Sequence, residues 1–318
     1  MKLAVAFLCY NQSSAPYLPD FLTSLEAALE AAGMEVFVLA GDNSDQPPYV
    51  NNLLIDSHNR QSRFPARLFS FEKNLGFAAA YNRLITAAVS EKCDYFLMLN
   101  PDMLIDQEMI KELADTLVNN NRLAAVCPKI YRWDFPAKKK TGTLDSCGII
   151  LKSGLRFSDL GQGKEDDGRY DQSEIFGSSG AAACFRISAL KKIKIKGQYF
   201  DERFFMYKED CDLAYRLHLA GLKTKLVPTA IAYHDRSAAS KGGFLKTWQA
   251  WRRRSPLTRS WSFVNQHFLF AKYWSKEPLK SKSLIIIQLL FLRIFALIFA
   301  RFLLKSYTQI RSLTKSLN

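Results

Sequence analysis

Apolar runs of strand length alternate with amphipathic helical stretches over the first hundred residues. Residues 3–9 are continuously apolar and read as a buried strand; Leu22, Leu25 and Leu29 then share one face of a helix over 18–32 that Gly33 stops. A second apolar strand covers 35–40 and a short third 67–71, and a helix rich in small residues runs from Asn74, which can cap it, to about Val89. Residues 95–99 form the most apolar strand, and a further helix starts near Glu108. This β-α-β order predicts a parallel sheet whose ligands bind beyond the carboxyl ends of the strands. Those ends carry Tyr10-Asn11-Gln12, Gly41-Asp42-Asn43-Ser44-Asp45 and Asn100-Pro101-Asp102. Each of the first two tips reads equally well as an ordinary turn, but they fall at the same edge of one sheet.

Later segments are less regular. From residue 125 to about 170 helical period is poor, and Lys138-Lys139-Lys140 and Glu165-Asp166-Asp167 read as solvated loop. Residues 176–184 are rich in Gly, Ser and Ala, which allows close backbone approach to a ligand, and they enter a helix over 188–193. That stretch lacks the lysine of a P-loop and the spacing of a dinucleotide fingerprint. Residues 224–228 and 230–234 read as a closing strand and loop, ending on His234 as either a metal ligand or a hydrogen-bonded loop residue.

Candidate chemistry concentrates between Phe200 and Arg216. Asp201, Glu202, Glu209, Asp210 and Asp212 stand there among Phe200, Phe204, Phe205 and Tyr207. Leu213, Leu217 and Ala220 recur at helical spacing before Gly221, so the last three carboxylates fall at a helix N-terminus. Capping and the helix dipole account for one or two of them. The aromatic approach points further, because desolvation raises a carboxylate's pKa, as a general base requires. Elsewhere, Asn82 lies in an otherwise apolar helix, where a buried amide needs partners. Asn100 and Asp102, with Pro101 fixing the turn, present oxygen ligands for a hard cation such as Mg²⁺ or Mn²⁺. Asp102 precedes the next helix by too many residues to cap it.

Composition changes the picture in two ways. The six cysteines include no C-x-x-C pair, which excludes a cysteine zinc site or a disulfide framework and fits a reducing cytosol. The apolar start runs into Tyr10-Asn11-Gln12 without a cleavage site, so it reads as a strand and not a signal peptide. Residues 1–235 hold 28 Lys and Arg against 29 Asp and Glu, a net of −1, whereas residues 236–318 hold 16 against 1, a net of +15. The tail pairs Arg252-Arg253-Arg254 with an apolar run over 284–304, which suits an anionic membrane surface and not nucleic acid.

Taken in order, Cys9-Tyr10-Asn11, Asp42-Asn43-Ser44, Asn74-Leu75-Gly76-Phe77-Ala78-Ala79-Ala80-Tyr81-Asn82, Leu99-Asn100-Pro101-Asp102, Gly180 with Arg186, the segment from Phe200 to Leu213, and His234 resemble the inverting family 2 glycosyltransferases with a GT-A fold. The likeness is to the bacterial rhamnosyltransferase-like branch and spans about residues 3–273. It implies an α/β fold with a mixed, mainly parallel sheet flanked by helices: a domain over 1–235, divided near residue 105 into donor and acceptor halves, and a basic, helical, membrane-associating region over 236–318. It implies that Asp42 contacts the nucleobase with Asn11 and Asn82 near the same pocket. Asn100 and Asp102 would hold the donor diphosphate through the cation, with His234 as a further ligand. Asp210 would be the base with Glu209 beside it, and Gly180, Asp201 and Glu202 would lie on the acceptor side. The chain departs from the family pattern at Asn100, which replaces an Asp and weakens the charge of the site, and at Asp45, which stands closer to Asp42 than usual.

The implied reaction is inverting transfer of L-rhamnose from dTDP-L-rhamnose to a lipid-linked saccharide in cell-surface polysaccharide assembly. UDP-hexose and UDP-galactofuranose are alternative donors. A non-catalytic nucleotide-sugar-binding or membrane scaffold module is the reading of another class, and the presence of the carboxylates argues against it. For the tail, energy alone permits spanning: a central Arg costs about 2.5–3.5 kcal/mol and the Leu, Ile and Phe residues offset it. A single span would, however, place Lys305, Arg311 and Lys315 across the membrane from the basic flank. The expectation is therefore an in-plane apolar helix on the cytoplasmic face of the inner membrane, against packing on the enzyme's own core or on a second subunit of a homo-oligomer.

Overall fold

The computed structural model describes residues 1–235, 251–252 and 255–317; of the basic flank over 252–282, Arg253 and Arg254 lie outside them. The helices are α1 (Asn11–Ser14), α2 (Leu18–Ala32), α3 (Val50–Asn59), α4 (Gly76–Ser90), α5 (Met109–Asn119), α6 (Ile187–Lys192), α7 (Glu209–Leu219), α8 (Pro256–Tyr273), α9 (Leu279–Ile298) and α10 (Ser306–Lys315). The strands are β1 (Lys2–Cys9), β2 (Glu35–Asp42), β3 (Arg67–Ser70), β4 (Tyr95–Leu99), β5 (Met103–Ile105), β6 (Leu123–Asp134), β7 (Lys139–Ser146), β8 (Ile149–Lys152), β9 (Arg156–Asp159), β10 (Ala182–Arg186) and β11 (Lys223–His234).

Among the described residues, one nine-stranded sheet runs β3-β2-β1-β4-β10-β6-β11-β5, with β7 added to β6. β3, β2, β1 and β4 are mutually parallel, and β10 joins antiparallel to β4 and β6. The order follows from the apolar runs: β1 and β4 are buried along nearly their whole length, as strands covered on both faces must be. One core packs Phe7, Phe21, Leu25 and Leu29 under α2 and α5, and the other packs Tyr81, Phe96 and Phe200 under α4 and α7. Because β10 runs antiparallel, the segment entering it, Gly180-Ala181, reaches the same edge as the carboxyl ends of β1, β2 and β4.

Three readings are corrected. The two charged runs taken as solvated loop are structured: Lys139 and Lys140 lie on β7, and Asp166 binds the buried Lys129 ammonium at 2.9 Å. Residues 182–184 belong to β10, and 223–234 form one bulged strand and not a strand and loop. The apolar run over 284–304 is not one helix. α9 ends at Ile298, and residues 301–305 form a 3-10 turn before α10. Asn74 accepts from the Gly76 N–H at 2.9 Å, close to its expected capping role. All six cysteines are free and buried.

Candidate active site

At the ends of β1 and β2 the parallel register sets Cys9 beside Asp42 and brings α1 against the tip of β2. Asn11 donates its N–H to Ser44 Oγ at 2.8 Å and its Nδ2 to Asp45 Oδ1 at 3.1 Å. Asp42 is buried. Its Oδ1 accepts from Ser44 N, Ser44 Oγ and Asn51 Nδ2 at 3.1, 2.6 and 3.2 Å, whereas its Oδ2 receives no hydrogen bond from any described residue. A dry acceptor of that kind is costly until an N–H donor completes it. Asn51, on the polar helix α3, had no signal in the periodicity.

At the end of β4 the chain turns through Asn100-Pro101-Asp102 into β5, and β11 returns beside it with His234 opposite Met103. His234 Nε2 lies 3.2 Å from Asp102 Oδ1, and Nδ1 lies 2.8 Å from Asp145 Oδ2. Burial disfavours the imidazolium, yet the two carboxylates outweigh burial and push up its pKa to about 10. Asp145, on β7, is a residue the sequence reading missed. Among the described residues no three His, Cys, Asp or Glu side chains form a ready cation cage. The smaller set fits one all the same: the buried Asp102 Oδ1 and His234 Nε2 face each other at 3.2 Å, and Asp145 on Nδ1 orients the ring so that Nε2 would be the ligating nitrogen once its proton is displaced.

The acidic segment closes the same edge. Asp201 caps a 3-10 turn over Glu202–Phe204, and Phe205, Tyr207 and Lys208 then adopt φ of 39°, 73° and 70°, which non-glycine residues rarely do. The first turn of α4 fits into this bend. Phe77 donates its N–H to the Phe205 carbonyl at 2.7 Å, and a Cβ on Gly76 would sit 2.5 Å from that oxygen. Glu209 opens α7 buried, with Oε2 unbonded by any described residue; burial and then the charge of Asp210 raise its pKa well above the carboxylate range. Asp210 is half-buried and accepts from the Gly180 N–H at 3.2 Å and from the Cys211 N–H at 2.7 Å. The Asn100 N–H donates to the Ala181 carbonyl at 2.8 Å, so Gly180-Ala181 stands between Asp210 and Asn100.

Not every expected residue opens onto this edge. Asp201 faces inward, 1% exposed, paired with Arg203 at 2.7 Å and Lys272 at 2.6 Å. Burial opposes its ionisation, but those two cations bring its pKa down to about 2. Asn82 clasps the backbone of Phe200: its Oδ1 accepts from the N–H at 2.8 Å and its Nδ2 donates to the carbonyl at 2.9 Å. Glu202 is exposed and accepts from Asn82 Nδ2 at 2.9 Å. The structure thus links Asn11 to Asp42 through Ser44, Asp102 to His234, and Asp210 to Gly180, while Asn82 and Asp201 brace the acidic loop.

The sheet topology is that of a GT-A fold. TarS of S. aureus (residues 1–349) superposes with a TM-score of 0.51 at 17% identity, covering 100% of this chain and 90% of that one. The mannosyltransferase PcManGT from Pyrobaculum calidifontis, solved with GDP-Man and Mn²⁺, gives 0.54 at 14% identity, covering 99% and 75%. The chain belongs to Glycosyl transferase family 2, matched over residues 5–194, and residues 167–310 match Glycosyl transferase family group 2. Its relatives include the N-acetylglucosaminyl-diphospho-decaprenol L-rhamnosyltransferase of Mycobacterium tuberculosis, 29% identical over 243 residues, 71% of this chain and 74% of the relative. The rhamnosyltransferase WbbL of Escherichia coli K12 is 25% identical over 257 residues, 78% and 92% of the two chains.

Proposed function

We propose that the chain transfers L-rhamnose from dTDP-L-rhamnose, with inversion, to a hydroxyl of a lipid-linked saccharide in cell-surface polysaccharide assembly. The observation that carries this reading is the placement of Asp210, which is tied to Gly180 while Asn100 is tied to the next residue, Ala181. Base and diphosphate site thereby flank one short turn. Asp42 Oδ2 would accept from a nucleobase N–H, with Asn11 walling the same pocket. Asp102, His234 and Asn100 would hold a Mg²⁺ or Mn²⁺ ion, whose chemistry is to neutralise charge on the departing diphosphate. Asp210 would take the proton of the attacking hydroxyl, and a single displacement of this kind inverts the anomeric centre. Burial raises the pKa of Glu209, which leaves the half-buried Asp210 as the member of the pair placed to take the proton.

Rhamnose rests on the two relatives' names, and the lipid-linked acceptor on the mycobacterial one. The neighbour with GDP-Man supports a second reading with another nucleotide-sugar, such as a UDP-hexose or UDP-galactofuranose. Membrane association rests on α9. Ser281, Ile285 and Ala296 face the body, while Ile287, Leu290, Phe291, Ile294 and Ile298 form an exposed apolar face flanked by Lys280, Arg301 and Lys305. Such a half-packed helix suits an in-plane seat on an anionic cytoplasmic leaflet. The deciding experiment is transfer from a panel of nucleotide-sugars to an N-acetylglucosaminyl-diphospho-lipid, with Mn²⁺ and with chelator. Turnover with dTDP-L-rhamnose alone is the expected result. Preference for another donor replaces the rhamnose assignment, and no turnover with any donor favours a binding module.

A further inference from the structure

We infer that Asn265, on α8, is a positioning residue for the Glu209-Asp210 pair, an inference that rests on the catalytic reading of that pair. Asn265 is buried, and its Nδ2, with two N–H groups, lies 2.8, 2.7 and 2.8 Å from the carbonyls of Phe204, Met206 and Tyr207, so that one N–H is shared between two of them. These bonds fall on the bend whose residues carry the positive φ values and which ends one residue before Glu209. From the opposite side Phe77 N–H holds the Phe205 carbonyl, and Asp212 N–H holds that of Lys208 at 2.9 Å. Every carbonyl from Phe204 to Lys208 therefore has a donor, and one amide supplies three of the five. A disfavoured backbone persists only where its surroundings over-determine it, and here the surroundings are α8 and the first turn of α4.

Further contacts on α8 act on the same loop. Trp261 lies against Phe205 with ring centroids 4.9 Å apart, and Phe268 lies against Phe204 at 5.0 Å. Two turns beyond Asn265, Lys272 joins Asp201 to Asp212 across the loop's two ends, at 2.6 and 2.5 Å. The described part of the C-terminal segment thus shapes the loop that presents Asp210. Asn265 touches neither of the two carboxylates and acts through the backbone between them and α8.

The test uses the full-length protein and three measurements: dTDP affinity by titration, kcat for transfer from dTDP-L-rhamnose, and amide hydrogen exchange of the peptide over 203–213 against the rest of the chain. Asn265→Asp keeps the shape but sets a carboxylate against three carbonyl oxygens; Asn265→Ser restores one donor. Asn265→Asp is expected to speed exchange in that peptide alone and to lower kcat on the order of 100-fold, the scale of a 1 Å misplacement. Its dTDP affinity should stay within about threefold, with the Ser variant between it and the parent. Unchanged exchange and kcat in Asn265→Asp would overturn the inference. So would faster exchange throughout the chain in both variants, since that marks a general stabilising residue. If the parent transfers no sugar at all, the catalytic reading fails while the exchange measurement still decides what Asn265 holds.

Discussion

Asp201 and Asp212 on one hand, and Glu209 and Asp210 on the other, are carboxylates of the same short stretch that the fold treats in opposite ways. Asp201 and Asp212 are fully buried and meet cations at every turn: Arg203 and Lys272 for the first, Arg216 and Lys272 for the second, with the Tyr273 hydroxyl on Asp212 at 2.7 Å. Glu209 and Asp210 make no ion pair among the described residues: the Gly180 and Cys211 N–H groups hold Asp210, and Glu209 Oε2 receives no hydrogen bond from any described residue. A buried carboxylate matched to cations defines shape, whereas one at a helix N-terminus without a cation is left available for chemistry. Proximity to the motif does not distinguish them. The cations do.

The largest expected effect is on Asp210→Asn, which should lower transfer by roughly 10²–10⁴-fold while leaving dTDP affinity and thermal stability unchanged. Asp212→Asn should instead destabilise by about 3–5 kcal/mol, because it leaves Lys272 and Arg216 buried with one partner fewer, and calorimetry reads this as a lowered Tm. Full turnover in Asp210→Asn together with an inactive but stable Asp212→Asn would reverse the comparison and move the base two residues along α7. Asp102→Ala should weaken both Mn²⁺ and donor binding by titration, and His234→Ala should do so less. Undiminished transfer in excess chelator would return Asn100 and Asp102 to ordinary turn residues.

Titration sharpens the contrast with opposite signs. The Asp201 carboxyl, brought down to about 2, contributes stability that is complete above the unfolded value of about 3.9 and is lost as pH falls toward 2. Glu209 is raised, so the folded chain keeps a proton that the unfolded chain releases above about pH 4.3, and stability falls as pH rises from there. Glu209→Gln should therefore be more stable than the parent at pH 8 and equal to it near pH 4. Equal unfolding temperatures at both pH values would show that Glu209 does not retain its proton. The smallest effect on turnover is expected from Phe291→Ser with Ile294→Ser, which should release the protein from anionic vesicles in flotation without slowing transfer to a water-soluble acceptor.

Much of this was legible because continuous apolar runs announce β1, β2 and β4, and the tips that follow them carry the site. α3 was missed because only Asn51 and Ile55 of its ten residues are buried, too few to make a stripe. β6 and β7 were missed for opposite reasons: the first half of β6 is buried on both faces and shows no alternation, and β7 opens with charged residues. The acidic segment was recognisable as chemistry, but the sorting of its carboxylates was not, since Lys272 lies 60 residues beyond Asp212. Asn82 was singled out because a polar amide in an apolar helix needs partners, and its partner is 118 residues away at Phe200. The same rule applied to Asn265, between Val264 and Phe268, would have found the residue that holds the loop.

The three carbonyls held by Asn265 also fix a sequence of events during synthesis. The sheet, the nucleotide pocket and the carboxylates all lie before residue 236 and leave the ribosome first, as amino-terminal units generally do. The bend before Glu209 cannot complete its hydrogen bonds until α8 emerges, and α9, which bears the apolar face, follows only a few residues behind. On the proposed function, catalytic competence and the means of reaching the bilayer would arrive together, and a nascent chain halted before residue 265 would have the Asp42 pocket without a finished loop beside it.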